Sequence, residues 1–442
     1  MKISTNFTAE DQSGNRVSVA EAEEVLSSLG VLRADKWVVL RGEVTAWYVA
    51  TVAALVRAGV PFLPSDNLSQ SECRRLIYCA GFRSTAIIFL QCDSKISLQG
   101  EEPGNALPDF HGIQCLVTTS GTTGNPKPIV FHSTAIENSI FGLERVTGTE
   151  PWSGRVLHAN NPMFDGFLEE VILTARSGGT IVIPQIPLRL NPLDIPQIIR
   201  HESIDVIDLP TGLFNVFASL GAADIFENSV LIVIGGQQFV QPAVDRFRAI
   251  FPKSRIVNTY GPSEATITCC AHELSEVTSN RQLIGKPYFG VDWKIEPADA
   301  ICSLDEGQLM LSGGQVSLSA KGAQVDGWYP TGDRVRVLTD GGLEYLGRLD
   351  SLVKVAGRRI DLVLVTKNLE ECLGTRVYIK NEILSTGIDA LVVTLYGEVK
   401  SSVSDFTQKT RECLQYLGVP IIVKHEPNLN LNKRGKEEFE GR

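Results

Sequence analysis

The chain has 442 residues, 43% of them apolar and 21% charged, with a formal net charge of −10. That balance fits a soluble globular protein of roughly two to four domains, and it argues against a nucleic-acid partner, which would call for a basic excess. No uncharged apolar run approaches a membrane span and the start shows no basic-then-apolar leader, so a cytoplasmic protein with no membrane partner is expected. The nine cysteines include no C-x-x-C pair. Neither a zinc site nor a disulfide framework is therefore expected, and a reducing compartment fits.

In chain order, residues 17–29 have helical spacing, 37–40 form a short apolar strand, and 44–58 a long apolar helix ending at Gly59. Residues 60–64 read as an extended exit and 69–80 as another helix. Such alternation predicts an α/β layer built on βαβ units. A strand at 113–117 then runs into the stretch from Thr118 to Lys127, Thr-Thr-Ser-Gly-Thr-Thr-Gly-Asn-Pro-Lys. Glycines let successive N–H groups turn toward one point and form an anion nest, hydroxyls add donors, and lysine adds a mobile cation. The G-x-x-x-x-G-K-[ST] spacing is absent, so this is a polyphosphate cradle of another kind; an ordinary Ser/Thr/Gly turn is the plain alternative.

Strand signals follow at 129–131, 180–183, 206–209, 230–234 and 255–257, with a helix over 133–146. The 230–234 strand runs straight into Gly235-Gly236. From about residue 284 short strands alternate with Gly and Asp turns, which reads as a small β-rich part. Charges nearly balance from Asp350 onward, whereas residues 1–349 are acidic. A domain boundary is expected there: 1–349 as the core, with the β-rich part at about 284–349, and 350–442 as a small C-terminal α/β domain.

The order of these motifs resembles the adenylate-forming superfamily: acyl- and aryl-CoA ligases, luciferases and the adenylation domains of non-ribosomal peptide synthetases. The resemblance runs from about residue 37 to the end. Its carriers are residues 55–66, the loop from Thr119 to Lys127, Asn258-Thr259-Tyr260-Gly261-Pro262-Ser263-Glu264, Tyr329-x-Thr331-Gly332-Asp333, and Gly347-Arg348-x-Asp350 with Lys354, Gly357, Arg359 and Ile360. It implies a large N-terminal domain of βαβ-type sheets, a β-rich subdomain and a small mobile C-terminal domain.

The resemblance also implies ATP and Mg²⁺. Thr119, Ser120, Gly121, Thr122, Thr123, Gly124 and Lys127 would cradle phosphates, and Glu264 would hold Mg²⁺, which takes one or two carboxylates plus phosphate oxygens. Gly235, Gly236, Gln237, Asn258, Thr259, Tyr260 and Gly261 would surround the base. Asp333 has two acceptor oxygens suited to ribose hydroxyls, and Arg348 would stand beside the ribose and α-phosphate. Asp350 occupies the hinge position. Leu431-Asn432-Lys433-Arg434-Gly435-Lys436 resembles the family's C-terminal lysine motif, and its distance from Pro420 assigns the adenylation lysine to Lys436 rather than Lys433.

Phe164-Asp165 resembles the pair by which amino-acid adenylation domains hold a substrate amine, where many CoA ligases carry histidine. The family's acyl-pocket positions fall on Asp165, Gly166, Glu169, Asp208, Val233, Gly235, Thr259, Ile267 and Thr268. Glu169 and Asp208 add two carboxylates whose burial calls for a cation. A substrate with a second amine would supply it; alternatively Glu169 pairs with a protein arginine or is solvated. The implied function is activation of an amino acid and its transfer to the phosphopantetheine thiol of a separate acyl or peptidyl carrier protein, or to CoA. Six residues beyond Lys436 leave no room for a fused carrier, so free-standing action is expected. The alternatives are an acyl- or aryl-CoA ligase and a catalytically silent nucleotide-binding regulator.

Overall fold

The computed structural model describes residues 1–32, 35–65, 68–82, 86–92, 95–102, 112–120, 126–188, 191–220, 225–274, 281–297, 305–317, 324–349, 352–355, 358–375, 377–383, 389–396, 403–417, 419–426, 430–431 and 437–438. The fold is α/β and divides into two compact units. The first takes Met1–Lys294, Met310–Thr331 and Val337–Glu344; the second takes Ile295–Leu309, Gly332–Arg336 and Tyr345–Arg442.

The first unit contains two sheets. One has the strand order Ile96–Glu102, Ala86–Cys92, Lys36–Arg41, Phe62–Pro64, Ile113–Ser120, Pro126–His132. Its inner strands are parallel and its two edge pairs antiparallel. The crossover helix Ala46–Ala58 buries ten of its thirteen residues, as an all-apolar helix must. Gly59 ends it in the left-handed conformation, φ 68°, a position that favours glycine. Helices Val19–Ser28 and Gln70–Cys79 each start with a capping box, Ser18 with Glu21 and Ser69 with Glu72.

The second sheet positions the site. Its strands Arg155–Leu157, Thr180–Ile183, Val206–Pro210, Leu231–Gly235 and Arg255–Tyr260 pair in parallel, and Cys270–Glu273 joins antiparallel. Register sets Asp208 beside Val233 at mid-strand and Gly235 beside Thr259 at the carboxyl-terminal edge of the sheet. In open parallel sheets that edge is where ligands bind. Beneath it, Phe214, Phe217, Phe226, Phe247 and Phe251 form a buried aromatic cluster. Two N-terminal strands that apolar spacing does not reveal, Thr8–Asp11 and Arg16–Ser18, extend this sheet, the first parallel to Thr180–Ile183. Their stability comes from a partner some 170 positions away, which local pattern cannot show.

The second unit includes a three-stranded sheet, Val377–Ile383, Asp389–Tyr396 and Ile421–Glu426, with helices Leu362–Leu373 and Val403–Leu414. Cys372 and Cys413, one on each helix, are joined by a disulfide. This corrects the expectation of no disulfide: residues 41 positions apart are brought together by helix packing, not by a spacing motif. No described helix is long and apolar enough to cross a membrane.

Candidate functional site

The helix Asp165–Ser177 and the neighbouring parallel strands bring three carboxyls together in an acidic cluster. Phe164 is the extended N-cap, so Asp165 is the first helical residue, where a negative charge complements the helix dipole. Its Oδ1 accepts from the Gly166 amide at 3.1 Å, and its Oδ2 accepts from the Ser263 hydroxyl at 2.6 Å. Glu169 lies one turn further along the same face. It is 2% exposed, and its Oε2 accepts from the Thr268 hydroxyl at 2.7 Å. Asp208 is 6% exposed, and its Oδ2 is buried with no hydrogen-bond partner among the described residues.

The charges of these three carboxyls act on one another, and among the described residues neither Glu169 nor Asp208 has an ion-pair partner. Burial is the main cause of a rise in the Glu169 pKa to about 8; the Thr268 bond opposes the rise and the Asp165 charge adds to it. Burial also pushes Asp208 well above the usual carboxylate range, reinforced by the charges of Glu169, Glu170 and Asp165. Burial removes the solvated alternative for Glu169, and no arginine partner for it is found among the described residues.

Glu170, the next residue, is treated in the opposite way. It is fully buried, yet His158 Nδ1 lies 2.6 Å from its Oε1. Its Oε2 accepts from the amides of Ala159 and Asn160 at 3.1 and 3.4 Å and from Asn160 Nδ2 at 3.3 Å. Asn160 Nδ2 also donates to the Asp208 carbonyl at 3.0 Å, tying the helix to the strand that carries Asp208. Gly166 makes room for this link, since a Cβ there would lie 2.9 Å from Asn160 Oδ1. Glu170, His158 and Asn160 belong to no motif that the sequence displays; the Glu169-Glu170 doublet is their one signal.

Several positions of the first unit expected to bind nucleotide fall within the described residues. The described ends of the expected cradle form an antiparallel pair in which Thr119 lies opposite Lys127 and Ser120 opposite Pro126. The Thr118 amide donates to the Met163 carbonyl at 3.3 Å, holding the hairpin against the segment before Asp165. Ser317 joins it from another side: its amide donates to the Glu264 carbonyl at 2.7 Å and its hydroxyl to the Val130 carbonyl at 2.8 Å. Glu264, in the short helical turn Ser263–Ala265, is thereby held beside the hairpin. Gly121, Thr122, Thr123, Gly124, Asp350, Lys433 and Lys436 lie outside the described residues, as do the side chains of Thr119, Ser120 and Lys127.

Gly235 is required by its neighbour, because a Cβ would collide with Thr259 Oγ1, whose hydroxyl donates to the Ile234 carbonyl at 3.1 Å. Gly236 has φ 84°, and Gln237 is exposed. Asn258 donates through Nδ2 to the Leu283 carbonyl at 2.8 Å, while its Oδ1 is buried without a partner among the described residues. Tyr260 is half-buried at the strand end, followed by Gly261. Within the second unit, Arg348 Nη1 lies 3.3 Å from Asp333 Oδ1, and Gly332 (φ 74°) leaves space for the guanidinium. No cluster of three or more potential metal ligands exists among the described residues. A single carboxylate, Glu264, fits Mg²⁺ whose other ligands are phosphate oxygens and water.

Comparisons with known proteins place the chain in a family and show a shared fold. A sequence model of the AMP-binding enzyme family matches residues 19–319. The dapdiamide synthesis protein DdaD of Enterobacter agglomerans is 28% identical over 402 residues, covering 82% of this chain and 67% of its own length. Surfactin synthase subunit 3 of Bacillus subtilis (strain 168) is 24% identical over 471 residues, covering 96% of this chain. This chain spans about a third, 36%, of that subunit. The crystal structure of IdnL7 superposes with a TM-score of 0.74 at 22% identity, covering 97% of this chain and 93% of the other, so the fold is shared.

Proposed function

The chain belongs to the AMP-binding enzyme family and is an adenylate-forming ligase, and we propose that it activates an amino acid bearing a second amine and transfers it to a carrier-protein thiol. The observation that carries the substrate reading is the buried, uncompensated pair Glu169 and Asp208, with Asp208 Oδ2 lacking a partner among the described residues. A buried carboxylate without a cation is costly, and a substrate ammonium removes that cost on binding. Asp165, oriented by Ser263, receives the α-amine; Glu169 and Asp208 receive the amine at the far end. Lysine, β-lysine, ornithine and other diamino acids have the chemistry required.

In the first step the substrate carboxylate oxygen attacks the α-phosphorus of ATP, forming the acyl-phosphate bond as the bond to pyrophosphate breaks. Catalysis here consists of holding the reactants in line and neutralising spreading charge. Lys127 and the amides and hydroxyls of residues 119–124 hold the phosphates; Mg²⁺, when bound through Glu264, adds charge neutralisation. Tyr260 gives the adenine a flat face beside Gly235 and Gly236. Asp333 holds the ribose hydroxyls with Arg348 beside them, and Lys436 supplies the cation next to the attacking carboxylate. In the second step the thiolate attacks the acyl carbon and AMP leaves. Likeness to a surfactin synthase subunit supports a carrier protein as the acceptor, with CoA as the other thiol of the same chemistry. Asp350 is the position about which the C-terminal domain turns between steps.

Substrate-dependent ATP–pyrophosphate exchange across amino, aryl and fatty acids tests this reading. Diamino acids are expected to drive exchange; exchange with benzoate or a fatty acid alone would establish a CoA-ligase type instead. Lys436→Ala should lower exchange by roughly 10²–10³-fold or more, the scale for removing a group that stabilises transition-state charge. Equal loss from Lys433→Ala with little effect at Lys436 would move the assignment.

A further inference from the structure

The segment that reaches the acidic cluster is held in a backbone conformation that its residues disfavour. Thr266 and Ile267 have φ of 55° and 65°. Left-handed values are uncommon and strained for β-branched residues. Both residues are buried. Gly261 is needed opposite them, since a Cβ there would lie 2.5 Å from the Ile267 carbonyl oxygen. Thr268 comes next, and it is Thr268 whose hydroxyl reaches Glu169.

Backbone strain of this kind persists only where the surroundings over-determine it. Here the surroundings are three polar side chains. Gln315, 2% exposed, donates through Nε2 to the carbonyls of Thr266 and Thr268 at 3.4 and 2.5 Å. Its own main-chain carbonyl accepts from the Thr266 hydroxyl at 2.8 Å, and its Oε1 accepts from Asn138 Nδ2 at 2.6 Å. From the helix Ser133–Thr147, the Ser139 hydroxyl donates to the Thr268 carbonyl at 2.8 Å and accepts from the Thr268 amide at 3.1 Å. The two carbonyls that Gln315 holds flank Ile267. Release of that amide would therefore relax the strained pair and move Thr268.

We propose that Gln315, supported by Asn138 and Ser139, is a positioning residue for substrate selection: it locks residues 266–268 so that the Thr268 hydroxyl stays fixed on Glu169. This rests on the reading of Glu169 as part of the acyl pocket. Gln315 acts through Thr268, and its loss should be felt by the acid and not by ATP.

The test compares Gln315→Ala, Thr268→Val and the double variant in pyrophosphate exchange, using whichever acid the wild type activates best. Each single change should raise KM for the acid roughly tenfold, the scale of one buried hydrogen bond to a charged group, with KM for ATP within about twofold of wild type. The double variant should be no worse than Thr268→Val, because both changes remove the same contact. Gln315→Met, which keeps the side-chain size and removes the donor, serves if the alanine variant does not fold, and should behave likewise. Additive effects near a hundredfold, or equal rises in both KM values, would overturn the proposal. Should the wild type activate no diamino acid, the substrate reading fails while the clamp is still tested with the preferred acid. A crystal structure of the Gln315 variant decides it even without turnover: Ile267 relaxed and the Thr268 hydroxyl off Glu169 supports the clamp, and an unchanged 266–268 backbone contradicts it.

Discussion

Glu169 and Glu170 are neighbours on one helix, both buried, and the protein treats them in opposite ways. Glu170 receives His158, two backbone amides and the Asn160 side chain. Glu169 receives the Thr268 hydroxyl, and it shares its surroundings with Asp165 and Asp208. One carboxylate is completed by the chain and belongs to the fold. The other lacks a cation among the described residues, and we propose that a ligand completes it. A buried charge with all its donors braces a structure, whereas a buried carboxyl with few of them marks where a cation is expected.

The largest effect should come from the incomplete side. A site built to hold an ammonium rejects an analogue that lacks it by about 10⁴-fold or more. Norleucine, close to lysine in length without the terminal amine, should be activated that much less well, and Asp208→Asn should weaken lysine while leaving KM for ATP unchanged. Comparable kcat/KM for the two acids would erase the contrast between Glu169 and Glu170.

On the completed side, Glu170→Ala strands His158, the Ala159 and Asn160 amides and the Asn160 side chain. Leaving these buried groups without their acceptor costs about 3 kcal/mol, read as a lowered denaturation midpoint, and Glu170→Gln should recover part of it. A loss below about 0.5 kcal/mol, the scale of a surface substitution, would show that the brace is ornamental.

Acidity separates the neighbours more gently. With its folded pKa raised to about 8, Glu169 binds a proton in the ligand-free fold over a range where the unfolded chain has released it. The unfolded state therefore holds fewer protons, and stability falls as pH rises from the ordinary glutamate range toward 8. Glu169→Gln should flatten that slope, melting a few degrees above wild type near pH 8. An unchanged slope would mean Glu169 is ionised or compensated in the free protein.

The smallest change expected is at Gly166→Ala. Its Cβ would press on Asn160 Oδ1 from 2.9 Å, at a cost of about 1 kcal/mol and a modest rise in KM for the acid.

Much of the site's location is legible in the amino-acid sequence. Asp208, Val233, Gly235 and Thr259 lie on or at the edge of apolar strands, and strand register pairs them side by side. Gly59 marks a helix end because its backbone is left-handed. Residues whose partners are distant are illegible. Gln315 follows Gly313-Gly314 and carries no motif, yet its bonds reach Asn138, Thr266 and Thr268. His158 gives no sign of Glu170, and Cys372 none of Cys413, because helix packing and strand ends bring them together. The strand Thr8–Asp11 is polar and short, and it exists by pairing with Thr180–Ile183.

A crystal structure with the preferred amino acid bound would decide what completes Glu169 and Asp208. A side-chain ammonium is expected within hydrogen-bonding distance, about 3 Å, of both carboxyls, with the α-amine at Asp165. An apolar or aryl side chain in that place, with Asp208 Oδ2 still lacking a cation, would contradict the cationic pocket.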